Sequence, residues 1–163
     1  MATNPQPKLR VLADANVLVA ASAWPRWPYE VILHAVKGDY QLVLSRDIIK
    51  EARQSLARIN EQFVAQFDAI LDATNYEEAP GATPEEITFN AFDIRDPKDI
   101  HVATVAVTAQ VDCLVTHDKD LTDNNALKNQ IPVILPAVFL RDYLGWTSEQ
   151  LEAIRQRRWP DLK

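Results

Sequence analysis

The chain is poor in the residues that mark several common protein classes. It has one cysteine, Cys113, so an internal disulfide and a zinc site built from several cysteines are both excluded. It has only 3 glycines and 10 prolines among 163 residues, which argues against a low-complexity or fibrous chain. No run approaches the roughly 20 apolar residues of a membrane span, so we expect no membrane association.

The length and the composition of the chain favour one folded domain. A chain of 163 residues, of which 47% are hydrophobic, is long enough to bury one core. Residues 2–7 are polar and do not resemble a signal peptide, so we expect a cytoplasmic protein. The net charge of −6 argues against a protein that coats nucleic acid. It is compatible with a nuclease, in which a local basic patch contacts phosphate.

Short apolar runs alternate with amphipathic segments along the chain. Strands are predicted at residues 8–13, 40–44, 87–92, 112–116 and 131–135. Helices are predicted at residues 17–23, 29–37, 48–59, 63–71, 97–110, 136–144 and after 147. Residues 74–86, with two prolines and a glycine, are predicted to form an irregular connection, and a loop is predicted after residue 116. Strands that alternate with helices predict an α/β fold with a parallel sheet of about five strands, flanked by helices on both faces.

Four acidic residues occupy positions that such a fold brings together. Asp14 follows the first strand and Asp118 follows the strand at 112–116, so both lie at the strand ends where parallel sheets form their crevice. Glu51 and Asp99 lie in the first turns of two predicted helices. Four carboxylates cannot all stay ionised in one pocket unless a cation lies among them. Oxygen ligands without Cys or His suit Mg²⁺ or Mn²⁺.

Each acid also has a purely structural explanation. Asp14 is placed to cap the following helix. Asp96 is a natural cap for the helix that begins at Pro97, and a negative charge at Asp99 in the first turn favours the helix dipole. Glu51 is compatible with a solvated helix charge.

Several stretches resemble PIN domains. Residues 14–19, Asp-Ala-Asn-Val-Leu-Val, resemble the opening motif of that family. Residues 95–99, Arg-Asp-Pro-Lys-Asp, the Ala-rich helix after them, and residues 113–121 resemble the central motif of its toxin components. Residues 131–140 resemble their last strand and helix. The resemblance covers about residues 9–144 and is most specific over 95–121.

The resemblance implies a PIN-like, Rossmann-like three-layer fold and a metal-dependent endoribonuclease, often the toxin of a VapBC-like toxin–antitoxin pair. It implies catalytic and metal-binding roles, with Mg²⁺ or Mn²⁺, for Asp14, Glu51, Asp99 and Asp118. It also implies an RNA substrate, a cognate antitoxin protein and a homo-oligomer of two or more copies. We expect a single domain over 1–163, with a core at about 9–144 and a helical extension at 146–163.

Four more polar residues are expected to support the site: Asn16, Asp96, Thr116 and Asp120. Whether Asp96 binds metal or caps its helix stays open. A phosphatase of the haloacid-dehalogenase type is disfavoured because Asn16 stands where its second aspartate is required. The stronger alternative is a catalytically inactive PIN fold that acts as a binding or interaction module.

Basic and aromatic residues outside these motifs offer further contacts. Arg46, Lys50, Arg53 and Arg58 share the helix of Glu51 and are the better candidates for contacting RNA. The C-terminal set, Arg155, Arg157, Arg158 and Lys163, is expected to stay solvated, with partner binding as the alternative. Trp24 and Trp27, with Arg26 between them, either stack on a base or pack a loop or oligomer interface.

Overall fold

Five short strands form one parallel sheet in the computed structural model, which describes residues 8–89 and 92–162. They are β1 (Arg10–Ala13), β2 (Gln41–Ser45), β3 (Glu77–Ala79), β4 (Cys113–Val115) and β5 (Val133–Ile134), in the spatial order β3-β2-β1-β4-β5. Leu12 of β1 pairs with Val43 on one side and with Leu114 on the other. The sheet therefore places the ends of β1 and β4 side by side.

Helices cover both faces of this sheet. They are α1 (Ala15–Ala23), α2 (Trp27–Val36), α3 (Arg46–Ile59), α4 (Glu61–Thr74), α5 (Pro84–Phe89), α6 (Pro97–Thr108), α7 (Lys119–Thr122), α8 (Asn125–Lys128), α9 (Pro136–Asp142) and α10 (Ser148–Ala153). Along the chain, β1, β2 and β3 follow one another toward one edge of the sheet, and β4 and β5 then continue from β1 toward the other edge. Right-handed crossovers therefore place α1–α4 on one face and α5–α8 on the opposite face. The predicted three-layer α/β fold is confirmed. No helix in the described part of the chain is long and apolar enough to cross a membrane.

The two central strands are buried on both faces. Val11, Leu12 and Ala13 of β1 and Leu114 and Val115 of β4 are fully inaccessible to solvent. Strands covered on both faces are apolar throughout, which is why they read as continuous hydrophobic runs in the sequence. Asp14 follows β1 directly, and Thr116 and Asp118 follow β4, so polar residues meet at the carboxyl edge of the sheet.

The prediction that residues 74–86 are irregular is wrong in part, because β3 lies within them. This short edge strand pairs with β2. Its two glutamates form ion pairs with residues distant in sequence, Glu77 with Arg10 and Glu78 with Arg46. Glutamates disfavour a strand by propensity, and these partners cannot be identified from the local sequence.

The predicted strand at 87–92 is also wrong where it can be compared, since residues 87–89 belong to α5. Asn90 and Ala91 lie outside the described residues. Thr83 and Glu86 cap this helix reciprocally: the backbone N–H of Glu86 donates to the Thr83 hydroxyl, and the N–H of Thr83 donates to the Glu86 carboxylate. Threonine three residues before glutamate, with proline between, is a helix-start signal that favours a helix here.

The segment predicted to be a loop after β4 contains two short helices. The side chain of Asp118 accepts a hydrogen bond at the start of α7, and that of Asn124 does so at the start of α8. The capping box predicted after residue 147 is confirmed, with Thr147 and Gln150 bonded reciprocally at the start of α10.

The C-terminal residues fold back onto the loop between α1 and α2. Arg157 forms an ion pair with the buried Glu30 at 2.8 Å and donates to the carbonyl of Pro25 at 2.6 Å. The expectation that the C-terminal basic residues stay solvated is therefore wrong for Arg157. Its partner lies 127 residues away, beyond the reach of local sequence patterns. Lys163 lies outside the described residues.

Candidate active site

Asp14 lies at the junction of β1 and α1 and is nearly buried, with 5% of its surface exposed. One carboxylate oxygen accepts the N–H of Ala15 at 2.7 Å, so the residue caps α1. The other oxygen accepts the hydroxyl of Thr116 at 2.8 Å. Asp14 therefore caps α1, as its structural explanation predicts, but this cap uses only one of the two carboxylate oxygens.

Thr116 joins the end of β4 to the end of β1. Its hydroxyl donates to Asp14 and accepts the backbone N–H of Asp118 at 3.0 Å. The side-chain amide of Asn16 lies 3.3 Å from both Asp14 and Thr116, and its carbonyl accepts the N–H of His117 at 3.2 Å. These two expected supporting residues thus fix Asp14 and the start of the Asp118 turn relative to each other.

A second group of carboxylates stands beside this junction. Asp99, Asp118 and Asp120 each offer an oxygen within 4.8 Å of the other two, the arrangement among the described residues that could hold a metal ion. Asp118 also caps α7 by accepting the N–H of Asp120 at 2.9 Å, and this turn brings Asp120 back toward the group. Asp96 accepts the N–H of Lys98 at 2.9 Å, so its side chain caps α6.

Two of these carboxyl groups hold their protons more tightly than usual. Burial raises the pKa of Asp14 to about 6, and the charges of Glu51 and Asp118 add to that rise against the hydrogen bonds from Thr116 and Ala15. The pKa of Asp99 is raised to about 7. Burial is the largest cause, and the contact with Asp118 and the charges of Asp96 and Asp14 contribute to the same rise. The expectation that at least one carboxyl group titrates high is met, although burial contributes more than repulsion.

Glu51 lies at the margin of the cluster. It belongs to α3, its side chain is 33% exposed, and its carboxylate lies 3.8 Å from the ammonium of Lys98 on α6. Its charge reaches Asp14, but it is not one of the three carboxylates within mutual reach. Lys98 is a site residue that the sequence reasoning did not assign, and its position next to Asp99 in the first turn of α6 was the available signal.

Two cavities meet at Glu51. The larger, of about 430 Å³, lies between α3, α5 and α6 and is lined in part by Lys50, Lys98 and His101. The smaller, of about 260 Å³, extends along α1 and is lined in part by Asn16 and Trp24. The first is lined by two lysines, Lys50 and Lys98, and by two carboxylates, Asp47 and Glu51, whereas the described residues that line the second include one charged group, Glu51.

The basic residues of α3 are only partly available to a ligand. Arg46 pairs with Glu78 and Arg53 pairs with Asp68, whereas Lys50 lines the larger cavity. Arg58 lies in the last turn of α3, beyond Glu51. RNA contact by α3 stays a prediction, and Lys50 is the basic residue of this helix that lies at the cavity.

The residues present fit a divalent cation. Three carboxylates within mutual reach form a hard oxygen donor set of the kind that Mg²⁺ and Mn²⁺ prefer. Burial and neighbouring carboxylates raise the pKa of Asp14 and of Asp99, and a bound cation would favour the ionised form of both. Of the four predicted acids, the structure brings Asp99 and Asp118 together with Asp120, keeps Asp14 alongside them, and leaves Glu51 at the edge.

Comparison with known proteins identifies what this chain is similar to. The family model described as PIN domain matches residues 10–120, which include all four predicted acids. No curated protein sequence matches the chain.

Two solved structures share its fold. VapBC2 from Rickettsia felis, in a crystal structure bound to a DNA fragment from the promoter, is 14% identical with a TM-score of 0.56, over 78% of this chain and 98% of that chain. The crystal structure of PAE2754 from Pyrobaculum aerophilum is 18% identical with a TM-score of 0.58, over 85% of this chain and 91% of that chain. At these identities the similarity establishes the fold.

Proposed function

The chain belongs to the PIN domain family, whose members are in general nucleases, and from this premise we propose that it is a divalent-metal-dependent endoribonuclease. One observation carries the proposal: Asp99, Asp118 and Asp120 converge beside the nearly buried Asp14 at the carboxyl edge of the sheet. A purely structural set of helix caps would not need three carboxylates within 4.8 Å of one another.

We assign the catalytic and metal-binding roles to Asp14, Glu51, Asp99 and Asp118, and we add Asp120 as a further metal-binding residue. A bound Mg²⁺ or Mn²⁺ supplies positive charge against the phosphate and lowers the pKa of a neighbouring water. The backbone N–H of Asp120 donates to the Asp118 carboxylate, and this hydrogen bond holds the Asp118 side chain in place before the substrate arrives.

The remaining residues position the substrate and move a proton. Lys50 and Lys98 contact the phosphates of the RNA, because both line the cavity next to Glu51. Glu51 accepts a proton from the attacking water, whose oxygen forms a bond to phosphorus. The bond from phosphorus to the leaving ribose oxygen breaks, and that oxygen takes a proton from solvent. Thr116 and Asn16 keep Asp14 fixed during this step.

We also propose that the protein is the toxin of a toxin–antitoxin pair, with a cognate antitoxin as partner and a dimer or larger homo-oligomer as its assembly. The similarity to the VapBC2 structure, which is itself bound to promoter DNA, supports this proposal. Light scattering on the purified protein measures the assembly. We further propose that the core at 9–144 and the C-terminal extension form a single domain, since Arg157 pairs with Glu30.

The test is cleavage of end-labelled RNA by the purified protein with Mn²⁺, with Mg²⁺ and with EDTA. We expect cuts that require metal and that fall by about a hundredfold or more in Asp99→Asn, which removes a metal-binding oxygen. A DNA strand of the same sequence shows whether the ribose matters. Asp72→Asn is the matched control, because Asp72 is exposed on α4 and the chemical change is the same.

Two results would count against the proposal. Cutting that persists in EDTA or in Asp99→Asn would point to a contaminating nuclease or to another site. RNA that stays intact with every metal would favour the alternative, a PIN fold that only binds a partner.

A further inference from the structure

Trp24 is an exposed aromatic residue next to the candidate active site. It follows the last residue of α1, and 47% of its surface is exposed. The other three tryptophans, Trp27, Trp146 and Trp159, are half-buried and donate their indole N–H to another residue. The Trp24 indole forms no hydrogen bond with any residue that the structure describes. Its exposure is therefore not explained by a structural contact.

The cavity beside Trp24 extends to Glu51 of the candidate active site. Trp24 lines it at one end, and Asn16 and Glu51 line it at the other. Between them, α1 contributes the small side chains of Ala15 and Ala20, which leave about 260 Å³ of open space. A planar group that enters this space contacts an aromatic ring on one side and the candidate active site on the other.

The backbone on both sides of Trp24 is held by the C-terminal residues. The indole of Trp159 donates to the carbonyl of Ala23 at 3.0 Å, and Arg157 donates to the carbonyl of Pro25 at 2.6 Å. Arg157 is itself fixed by its ion pair with Glu30. The backbone that carries Trp24 is thus held on both sides, so little backbone entropy is lost when a ligand stacks on the indole.

The two residues that hold this loop lie beyond the part of the chain that the family model matches, which ends at residue 120. The arrangement is therefore a property of this chain rather than of the family core.

We propose that Trp24 stacks on a base of the RNA next to the candidate active site. This inference rests on the proposed function and adds a substrate-binding residue to it. A nucleotide carries an uncharged planar base and an anionic phosphate. The cavity beside Trp24 can receive the base, and Lys50 and Lys98 of the larger cavity can contact a phosphate. Aromatic residues stack on bases of every type because each base has a π face.

The experiment combines a protein variant with a modified RNA. RNA oligonucleotides that span one mapped cleavage position are made with a single abasic ribose at successive positions. Their Kd is measured by fluorescence anisotropy in the Asp99→Asn background, with and without Trp24→Ala, so that binding is read without cleavage. Their KM and kcat are measured with the proteins that retain Asp99. Trp24→Phe tests whether an aromatic ring suffices.

We expect Trp24→Ala to weaken binding and raise KM by about tenfold, with a smaller change in kcat, and Trp24→Phe to recover most of the loss. An abasic ribose at one position should lower the RNA affinity of the protein with Trp24 about tenfold. The same substitution should lower the affinity of Trp24→Ala little further, because both changes remove the same contact. Tyr143→Ala is the matched control, since Tyr143 is also an exposed aromatic residue and directly follows α9 near Asp112, at the opposite end of β4.

Three outcomes would overturn the inference. If the losses of affinity caused by Trp24→Ala and by the abasic ribose multiply at every position, Trp24 contacts no base. A smaller molar mass of Trp24→Ala by light scattering, with unchanged RNA binding, would place the indole between copies of this chain. If the protein with Trp24 neither binds nor cleaves RNA, the proposed function itself fails, whereas cleavage that is indifferent to Trp24 leaves that function standing.

Discussion

Replacing Asp14 by asparagine should change how the stability of the metal-free protein depends on pH. The pKa of Asp14 is raised from 3.8 to about 6, chiefly by burial. The folded state therefore binds this proton more tightly than the unfolded chain does. The resulting stabilisation is fully present below about pH 4 and is lost as the pH rises through about 6. Asparagine carries no such proton, so Asp14→Asn removes this dependence.

The size of the effect follows from the shift and from the hydrogen bonds. A rise of about two pKa units corresponds to about 3 kcal/mol between pH 4 and pH 8. Asparagine cannot accept both the Thr116 hydroxyl and the Ala15 N–H, since one of its two terminal atoms is a donor. Losing one such bond costs about 1 kcal/mol. We expect Asp14→Asn to be less stable than the parent by about 1 kcal/mol at pH 4 and more stable by about 2 kcal/mol at pH 8.

The assay is urea unfolding of both proteins in EDTA at several pH values from 4 to 8. Asp72→Asn, at an exposed position on α4, reports the effect of removing a negative charge alone. A difference in unfolding free energy between Asp14→Asn and the parent that stays constant across this range would refute the reasoning. It would mean that the Asp14 carboxylate is solvated or neutralised in the metal-free protein.

Two further predictions concern the cation and the C-terminal extension. Mn²⁺ at a hundredfold excess over its Kd should stabilise the protein by about 2.7 kcal/mol, and a melting temperature that is unchanged over a wide Mn²⁺ range would exclude the site. Arg157→Ala leaves Glu30 buried without a partner. It should therefore lower the free energy of unfolding by about 3 kcal/mol and the melting temperature by about 6–12 °C. Arg155→Ala, whose pair with Glu152 is exposed, should change stability by less than about 0.5 kcal/mol, and an equal loss in both variants would contradict the assignment.

The two central strands and the placement of two acids could be predicted from the sequence because they follow from rules of local pattern. Apolar runs at residues 8–13 and 112–116 predict buried parallel strands, and such strands place whatever follows them at one edge. The structure accordingly has β1 and β4 as neighbours, with Asp14 and the turn of Asp118 joined through Thr116.

Other features depend on contacts that no local pattern contains. The edge strand β3 uses glutamates paired with arginines far away in sequence, and Arg157 reaches Glu30 across 127 residues. The position of Asp120 within the carboxylate group depends on the capped turn at Asp118, which was predicted to be a loop. The helix α5, in contrast, carried a local signal in Thr83 and Glu86.

The most direct test of the central claim is a calorimetric titration of the protein with Mn²⁺ in buffers of different ionisation enthalpy. If the carboxylates form a cation site, Mn²⁺ binds saturably and displaces the protons of Asp14 and Asp99, whose pKa values are about 6 and about 7. We expect about one proton released per site at pH 6.5 and almost none at pH 8.5. Asp72→Asn should behave like the parent, and Asp99→Asn should bind weakly. No saturable heat, or binding that Asp99→Asn leaves intact, would contradict the assignment of these carboxylates as the metal site.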